Sequence, residues 1–146
     1  EFKGVEHRLE YVRTINEVEY INDSKATNIN SVIVAINTYD QPIVLILGGF
    51  NKGANFRLLL PHIKSSHVRD IVSYGDAGGQ INTALGDAVR SVQVTDLSSA
   101  VKKAQLMAAP GDIVLLSPGC ASYDEFSNFE ERGNHFKSKI KSIAIS

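Results

Sequence analysis

Residues 21–28, near the start of the chain, bring together side chains that are well suited to binding a small polar ligand. Tyr20 and Ile21 form the apolar end of a predicted strand, and Asp23-Ser24-Lys25-Ala26-Thr27-Asn28 follows. An ammonium group and hydroxyl groups can bind an anion, and a carboxylate can accept hydrogen bonds from a diol such as that of a sugar. The segment therefore predicts contact with a ligand that carries both kinds of group.

Two later segments have the same arrangement, in which an apolar strand is followed by polar and small residues. Ile43–Leu47 is followed by Gly48-Gly49-Phe50-Asn51-Lys52-Gly53, and Ile113–Leu116 by Ser117-Pro118-Gly119-Cys120-Ala121-Ser122. Ligands of open parallel sheets bind beyond the carboxyl ends of the strands. We therefore expect one polar crevice for a small anion with carboxylates or phosphates, lined by Asp23, Lys25, Thr27, Lys52, Asp76 and the residues from Ser117 to Ser122.

Each of these residues also has a purely structural interpretation. Lys25 and Lys52 can be solvated surface lysines, and Asp23 and Thr27 can cap a helix that begins near Ser31. Ser122 can belong to a turn, since Ser-Pro-Gly precedes it, and the glycines can serve backbone conformation alone. Position at the ends of strands favours the functional interpretation.

The strands and helices expected to position these residues alternate along the chain. Short apolar runs predict strands, and apolar residues at i, i+3, i+4 and i+7 predict the helices between them. The fold class is therefore α/β, a doubly wound and mainly parallel sheet with helices on both faces (Rossmann-like), preceded by an N-terminal β-hairpin. The predicted strands are Leu9–Ile15, Val18–Ile21, Ile43–Leu47, Ile71–Tyr74, Val92–Val94 and Ile113–Leu116.

Three helix boundaries carry their own signals. Pro61 should break or bend a short helix over Phe56–Ile63. Asp96 is a candidate N-cap, and Ser127 with Glu130 matches a capping box at the start of the last helix. The free N–H groups at that start would favour an anion.

Composition narrows the possible functions. The chain has 146 residues, which suits one domain, and 15 basic against 16 acidic residues without a basic stripe, so we expect no nucleic-acid partner. No apolar run approaches the roughly 20 residues of a membrane span, so we expect no membrane partner. The lone Cys120 suits a reducing, cytoplasmic location, and the four histidines lack the spacing of metal ligands. No phosphate loop and no serine nucleophile motif is present.

Five motifs along the chain together carry a family resemblance: His7-Arg8, Asp23–Asn28, Gly48–Gly53, Ser117–Ser122 and the run Asn128-Phe129-Glu130-Glu131-Arg132-Gly133. In combination they resemble the C-terminal domain of the Mur ligase family. The resemblance covers the whole chain, residues 1–146, as a single domain. It implies an ATP-dependent amide-forming ligase of peptidoglycan synthesis that works through an acyl phosphate. The phosphate loop, the Mg²⁺ ligands and the UDP-binding domain would lie outside this chain, which alone would be inactive.

The resemblance also implies a role for individual residues. Lys52 would pair with a carboxylate of the incoming amino acid, while Thr27, Ser122, Phe129 and the backbone of Tyr123 would line the rest of its pocket. Arg8 would face the phosphates of ATP and Asp23 the ribose. Lys25 would lie near the centre of phosphate transfer, as a catalytic and nucleotide-binding residue.

The run Asp23–Asn28 is similar to that of the branch that adds D-glutamate to UDP-N-acetylmuramoyl-L-alanine. Phe50-Asn51 departs from it, because an acidic residue is common after the paired glycines. Two alternatives remain: a free-standing binding module for nucleotides or small acids with this fold, and a related folate-polyglutamate ligase domain, against which the Asp23–Asn28 pattern argues.

Overall fold

The computed structural model describes residues 5–144, which form one six-stranded sheet with helices on both faces. The strands are β1 (Glu10–Ile15), β2 (Val18–Asn22), β3 (Ile43–Gly48), β4 (Val68–Tyr74), β5 (Arg90–Gln93) and β6 (Ile113–Leu116). The helices are α1 (Ile29–Ile36), α2 (Leu60–Ser65), α3 (Gly78–Leu85), α4 (Leu97–Met107) and α5 (Phe129–Lys141), and a 3-10 turn spans Phe56–Leu59.

The strands lie in the order β1-β2-β6-β3-β4-β5. All neighbours are parallel except β1 and β2, which form the antiparallel hairpin that the sequence predicts. Asn16 and Glu17 both adopt positive φ, 52° and 66°, as a two-residue turn of this kind requires. Because β6 lies between β2 and β3, the direction of winding changes there, and the crevice of such a sheet lies beyond the carboxyl ends of those strands.

Two apolar layers hold the sheet between the helices. Alternate residues of β3 point to opposite faces: Leu45 packs with α1, α2 and α3, whereas Val44 and Ile46 pack with α4 and α5. Every residue of β3 and β6 is buried, as expected for central strands of a parallel sheet covered on both faces. Among the described residues, no helix is long and apolar enough to cross a membrane.

The structure changes two of the predicted helix boundaries. Pro61 lies in the first turn of α2, where it needs no N–H partner, so it starts a helix after the 3-10 turn instead of breaking one. The cap of α5 is Asn128, whose side chain accepts from the N–H of Glu131 at 2.8 Å, and not Ser127. The capping box prediction was therefore displaced by one residue. Asp96 caps α4 as predicted.

The edge at the amino ends of the strands is more ordered than the sequence indicated. Asp70 is 2% exposed and accepts two hydrogen bonds from Arg90, at 2.8 and 2.9 Å. Arg69 joins Asp70 to Asp112. These contacts stabilise the edge opposite the candidate crevice.

Candidate functional site

Three loops that follow the carboxyl ends of β2, β3 and β6 meet at one edge of the sheet. We name them the Asp23 loop (residues 23–28), the Lys52 loop (residues 49–55) and the Ser122 loop (residues 117–123). The N–H of Gly119 donates to the carbonyl of Ala26 at 2.8 Å, and Phe50 and Ala121 exchange a pair of backbone hydrogen bonds at 2.8 and 3.1 Å. The loops therefore form one connected surface, as the sequence predicted from the strand ends.

Asp23 is the most buried acidic group of this surface, at 4% exposed. One carboxylate oxygen accepts from the N–H of Leu9 at 3.0 Å and the other from the hydroxyl of Ser117 at 2.8 Å. Burial raises the pKa of Asp23 to about 6, although these two hydrogen bonds and the charge of Arg8 act in the opposite direction. Asp23 thus combines a desolvated carboxylate with a fixed orientation.

A cavity of about 180 Å³ opens beside Asp23. Its lining brings together Arg8, Asp23 and Lys25, three residues that the sequence analysis assigned to nucleotide binding. The remaining lining residues are Leu9, Ala26, Ser31, Val34 and Ala35. The backbone supports this grouping, because the N–H of Lys25 donates to the carbonyl of His7 at 2.9 Å, next to Arg8.

Lys52 belongs to the second of the three loops and does not line this cavity. Its ammonium is 5.0 Å from the centre of the Tyr123 ring, so the Lys52 loop and the Ser122 loop also meet through side chains. Asn51, which stands where the resemblance would place an acidic residue, shapes the loop. Its side-chain oxygen accepts from the N–H groups of Gly53 and Ala54, and its amide donates to Gln80 at 2.7 Å.

The other predicted pocket residues, Ser122, Phe129 and Thr27, differ in exposure and in their contacts. Ser122 is buried, and Phe129 packs edge-on against His7 with ring centres 6.0 Å apart. Thr27 is exposed. Among the described residues, no hydrogen bond joins Thr27, Lys52 and Ser122, so a ligand between them would have to supply the contacts.

The structure changes the interpretation of two helix starts in this region. Neither Asp23 nor Thr27 caps α1, because the side chain of Asn28 accepts from the N–H of Ser31 at 2.9 Å. The start of α5, which the sequence predicts to favour an anion, carries Glu130 and Glu131 in its first turn, and their negative charges oppose anion binding there. The positive charge of the surface must therefore come from side chains.

Sequence reasoning missed Arg132 and Gly133, which lie on the inner face of α5. Both are buried, at i+3 and i+4 from Phe129. Helical spacing alone does not indicate the burial of an arginine, because arginine side chains are usually exposed. A side chain at Gly133 would collide with the ring of His7, the residue directly before Arg8 in the sequence.

The thiol of Cys120 and the potential metal ligands are the remaining groups that could take part in catalysis. Burial raises the pKa of the Cys120 thiol to about 12, which disfavours the nucleophilic thiolate. Within residues 5–144, no group of three or more His, Cys, Asp or Glu side chains is arranged to hold a metal ion. The charged side chains of this surface, Arg8, Asp23, Lys25 and Lys52, are of the types that bind anions and hydroxyl donors.

Comparison with known proteins gives a consistent result. Residues 7–120 match the family described as Mur ligase, glutamate ligase domain. The chain is similar to the UDP-N-acetylmuramoylalanine--D-glutamate ligase of Clostridioides difficile (strain 630), with 46% identity over 97% of this chain and 32% of that protein. It is also similar to the enzyme of the same name from Salinibacter ruber, with 43% identity over 97% of this chain and 31% of that protein. It thus spans about a third of the length of these relatives.

Two solved structures share the fold. The UDP-N-acetylmuramate-alanine ligase of Thermotoga maritima matches with a TM-score of 0.66 and 14% identity, over 97% of this chain and 31% of that chain. The bifunctional folylpolyglutamate synthase/dihydrofolate synthase of Yersinia pestis, complexed with AMPPNP and a manganese ion, matches with a TM-score of 0.66 and 17% identity, over 92% of this chain and 31% of that chain.

Proposed function

The chain belongs to the Mur ligase family, and we propose that it is the C-terminal domain of the ATP-dependent ligase that joins D-glutamate to UDP-N-acetylmuramoyl-L-alanine. The observation that carries this proposal is the meeting of the Asp23, Lys52 and Ser122 loops at one edge of the sheet. The names of the relatives supply the identity of the amino acid.

We propose that the amino acid binds where Lys52, Tyr123 and Ser122 converge. Lys52 would pair with a carboxylate of D-glutamate, and Ser122, Thr27, Phe129 and the backbone of Tyr123 would fix its orientation. The stacking of Lys52 on Tyr123 supports this role, because it holds a flexible ammonium in one place before the ligand arrives. Asn51 fixes the loop from the other side.

We propose that the cavity beside Asp23 is one wall of the ATP site. Arg8 and Lys25 would face phosphate groups, with Lys25 near the transferred phosphate, and Asp23 would accept from the ribose hydroxyls. At about 180 Å³ the cavity is smaller than the roughly 300–1,000 Å³ of typical small-molecule sites, so a second domain must supply the rest. The ligands of Mg²⁺ would lie on that domain too.

An amino-acid site and an ATP site on the same edge of the sheet suit the proposed reaction. ATP would convert the substrate carboxylate into an acyl phosphate, and the amine of D-glutamate would then attack its carbonyl carbon, with release of phosphate. Closure of this domain over the partner domain would orient the amine and exclude water from the acyl phosphate. Because ATP and the nucleotide substrate are consumed together, we place the reaction in the cytoplasm.

The runner-up is a free-standing binding module of the same fold. Titration of the isotope-labelled chain with D-glutamate, L-glutamate and ATP, followed by NMR of the backbone amides, separates the two functions. We expect weak, stereoselective shifts at Thr27, Lys52, Ser122 and Phe129 with D-glutamate. Tight binding of another small acid or nucleotide, with no response to D-glutamate, would favour the free-standing module.

A further inference from the structure

Arg132 is a fully buried cation without an acidic partner in the described part of the chain. Its side chain is 0% exposed, and no carboxylate of residues 5–144 forms an ion pair with it. Removing an arginine from water is costly unless its charge and its N–H groups are compensated. The position of Arg132 therefore requires an explanation beyond packing.

The guanidinium contacts all three loops of the candidate site. Its Nε donates to the hydroxyl of Ser24 at 2.9 Å, one terminal nitrogen donates to the carbonyl of Ser24 at 2.7 Å, and the other donates to the carbonyl of Cys120 at 2.9 Å. A side-chain carbon at Gly49 would lie 3.2 Å from that last nitrogen, so the start of the Lys52 loop packs directly on it. Arg132 thus lies beneath the point where the three loops meet.

The acceptors of Arg132 are neutral. The hydroxyl of Ser24, which accepts from Nε, donates in turn to the carbonyl of Phe129 at 2.7 Å. These bonds satisfy three of the five N–H donors of the guanidinium but leave its charge without a counter-charge. At low local dielectric such a charge acts over several ångströms.

We propose that Arg132 is a positioning residue of the amino-acid site. It holds the Asp23, Lys52 and Ser122 loops from beneath, and its unneutralised charge attracts the carboxylates of the ligand that these loops receive. This inference rests on the proposed function, because it assigns the ligand of the loops to a dicarboxylic amino acid. Arg132 acts through the loops and does not itself touch the substrate.

Three substitutions in the full-length ligase test this role. Arg132→Lys keeps the charge but loses the fork that reaches Ser24 and Cys120 together, and Arg132→Met loses both. Ser24→Ala is milder, since it removes only the hydroxyl between Nε and Phe129. Phe136→Leu is the matched control, because Phe136 is fully buried on the same helix but packs in the layer with α4, away from the loops.

We expect the KM for D-glutamate to rise by about 10- to 100-fold in Arg132→Lys and further in Arg132→Met. Ser24→Ala should give a smaller rise, while the KM for UDP-N-acetylmuramoyl-L-alanine stays within about twofold in every variant. Phe136→Leu should lower Tm without raising the KM for D-glutamate. Backbone amide shifts of Ser24, Gly49 and Cys120 should move together in the arginine variants.

Two outcomes would overturn the proposal. One is an unchanged KM for D-glutamate in Arg132→Lys and Ser24→Ala; the other is an equal rise in Phe136→Leu at the same loss of Tm, which would mean that Arg132 only stabilises the domain. If Arg132→Met fails to fold, the other two variants still decide. Failure of the proposed function is distinguishable, because the unmodified ligase would then not consume D-glutamate at all.

Discussion

The carboxylate of Asp23 accepts a hydrogen bond of 2.8 Å from the hydroxyl of Ser117, across 94 positions of sequence. The contact joins the ends of the adjacent parallel strands β2 and β6. It fixes a carboxylate at the rim of the cavity that also contains Arg8 and Lys25. A residue proposed to bind a ligand is thus also part of the structure that holds two strand ends together.

This double role predicts opposite effects of Asp23→Asn on stability and function. Burial raises the pKa of Asp23 from an ordinary 3.8 to about 6, so the folded state binds its proton more tightly than the unfolded state. The ionised group therefore costs stability as pH rises from about 4 to 6, and the full cost persists above pH 6. An asparagine never ionises and can still bond to Leu9 and Ser117.

We expect Asp23→Asn to raise the free energy of unfolding by about 1–3 kcal/mol at pH 7.5 and to leave it nearly unchanged at pH 4. The KM for ATP should rise more than the KM for D-glutamate. Thermal unfolding at both pH values and steady-state kinetics measure these effects. A loss of stability at pH 7.5 would contradict the description of Asp23 as a desolvated carboxylate whose ionisation costs stability.

Lys52→Ala should separate binding from stability. Lys52 is exposed, and within residues 5–144 its side chain forms no hydrogen bond or ion pair and only stacks on the ring of Tyr123, so Tm should change by no more than about 1 °C. The KM for D-glutamate should rise by about 100-fold, since loss of a charge-assisted bond costs about 1.5–3 kcal/mol. Lys64→Ala, an exposed lysine on α2, is the control and should alter neither quantity. A drop of several degrees in Lys52→Ala would identify a structural residue instead.

Gly133→Ala should destabilise the domain even though alanine favours helices more than glycine does. The new methyl group would collide with the ring of His7 and lie 3.1 Å from the amide of Asn22. We expect the free energy of unfolding to fall by about 1–3 kcal/mol. The KM for ATP should also rise, because His7 directly precedes Arg8 and a shift of its ring would displace that residue. Asn134→Ala, at the next and exposed position, should be neutral or stabilising. Equal behaviour of the two variants in chemical denaturation would refute the close contact.

Asp70→Asn should weaken the opposite edge of the sheet in a pH-dependent way. Burial alone would raise the pKa of Asp70, but hydrogen bonds and charge from Arg90 and Arg69 lower it. A carboxyl with a lowered pKa contributes stability above its unfolded pKa of about 4 and loses it as pH falls through the folded pKa. We expect the free energy of unfolding to fall by about 1–3 kcal/mol at pH 7 and by less below pH 4. The KM values for ATP and for D-glutamate should stay unchanged.

Much of this arrangement was predictable from the sequence, because burial on both faces of a parallel sheet leaves a local pattern. The continuous apolar runs of β3 and β6 and the helical spacing of α1 and α4 identified the layers and the edge at which polar residues gather. Family resemblance then assigned individual residues, and their roles in binding stay predictions.

The contacts that no local pattern contains were missed. Arg132 is a charged residue on a helix, and composition alone places such a residue in solvent. Its burial depends on carbonyl groups of Ser24 and Cys120, which only the folded chain brings together. The displaced cap at Asn128 had a simpler cause, since Ser127 and Asn128 are both suitable capping residues and the local sequence does not choose between them.

The central position of β6 has a consequence for how the protein is synthesised. While the ribosome has released only the first five strands, the β1-β2 hairpin and the β3-β4-β5 ribbon share no backbone ladder, and each exposes an unpaired edge. The segment Ile113–Leu116 pairs with β2 on one side and β3 on the other. The sheet therefore cannot be completed until β6 emerges, and until then the edges of β2 and β3 that β6 will cover stay open to pairing with other chains.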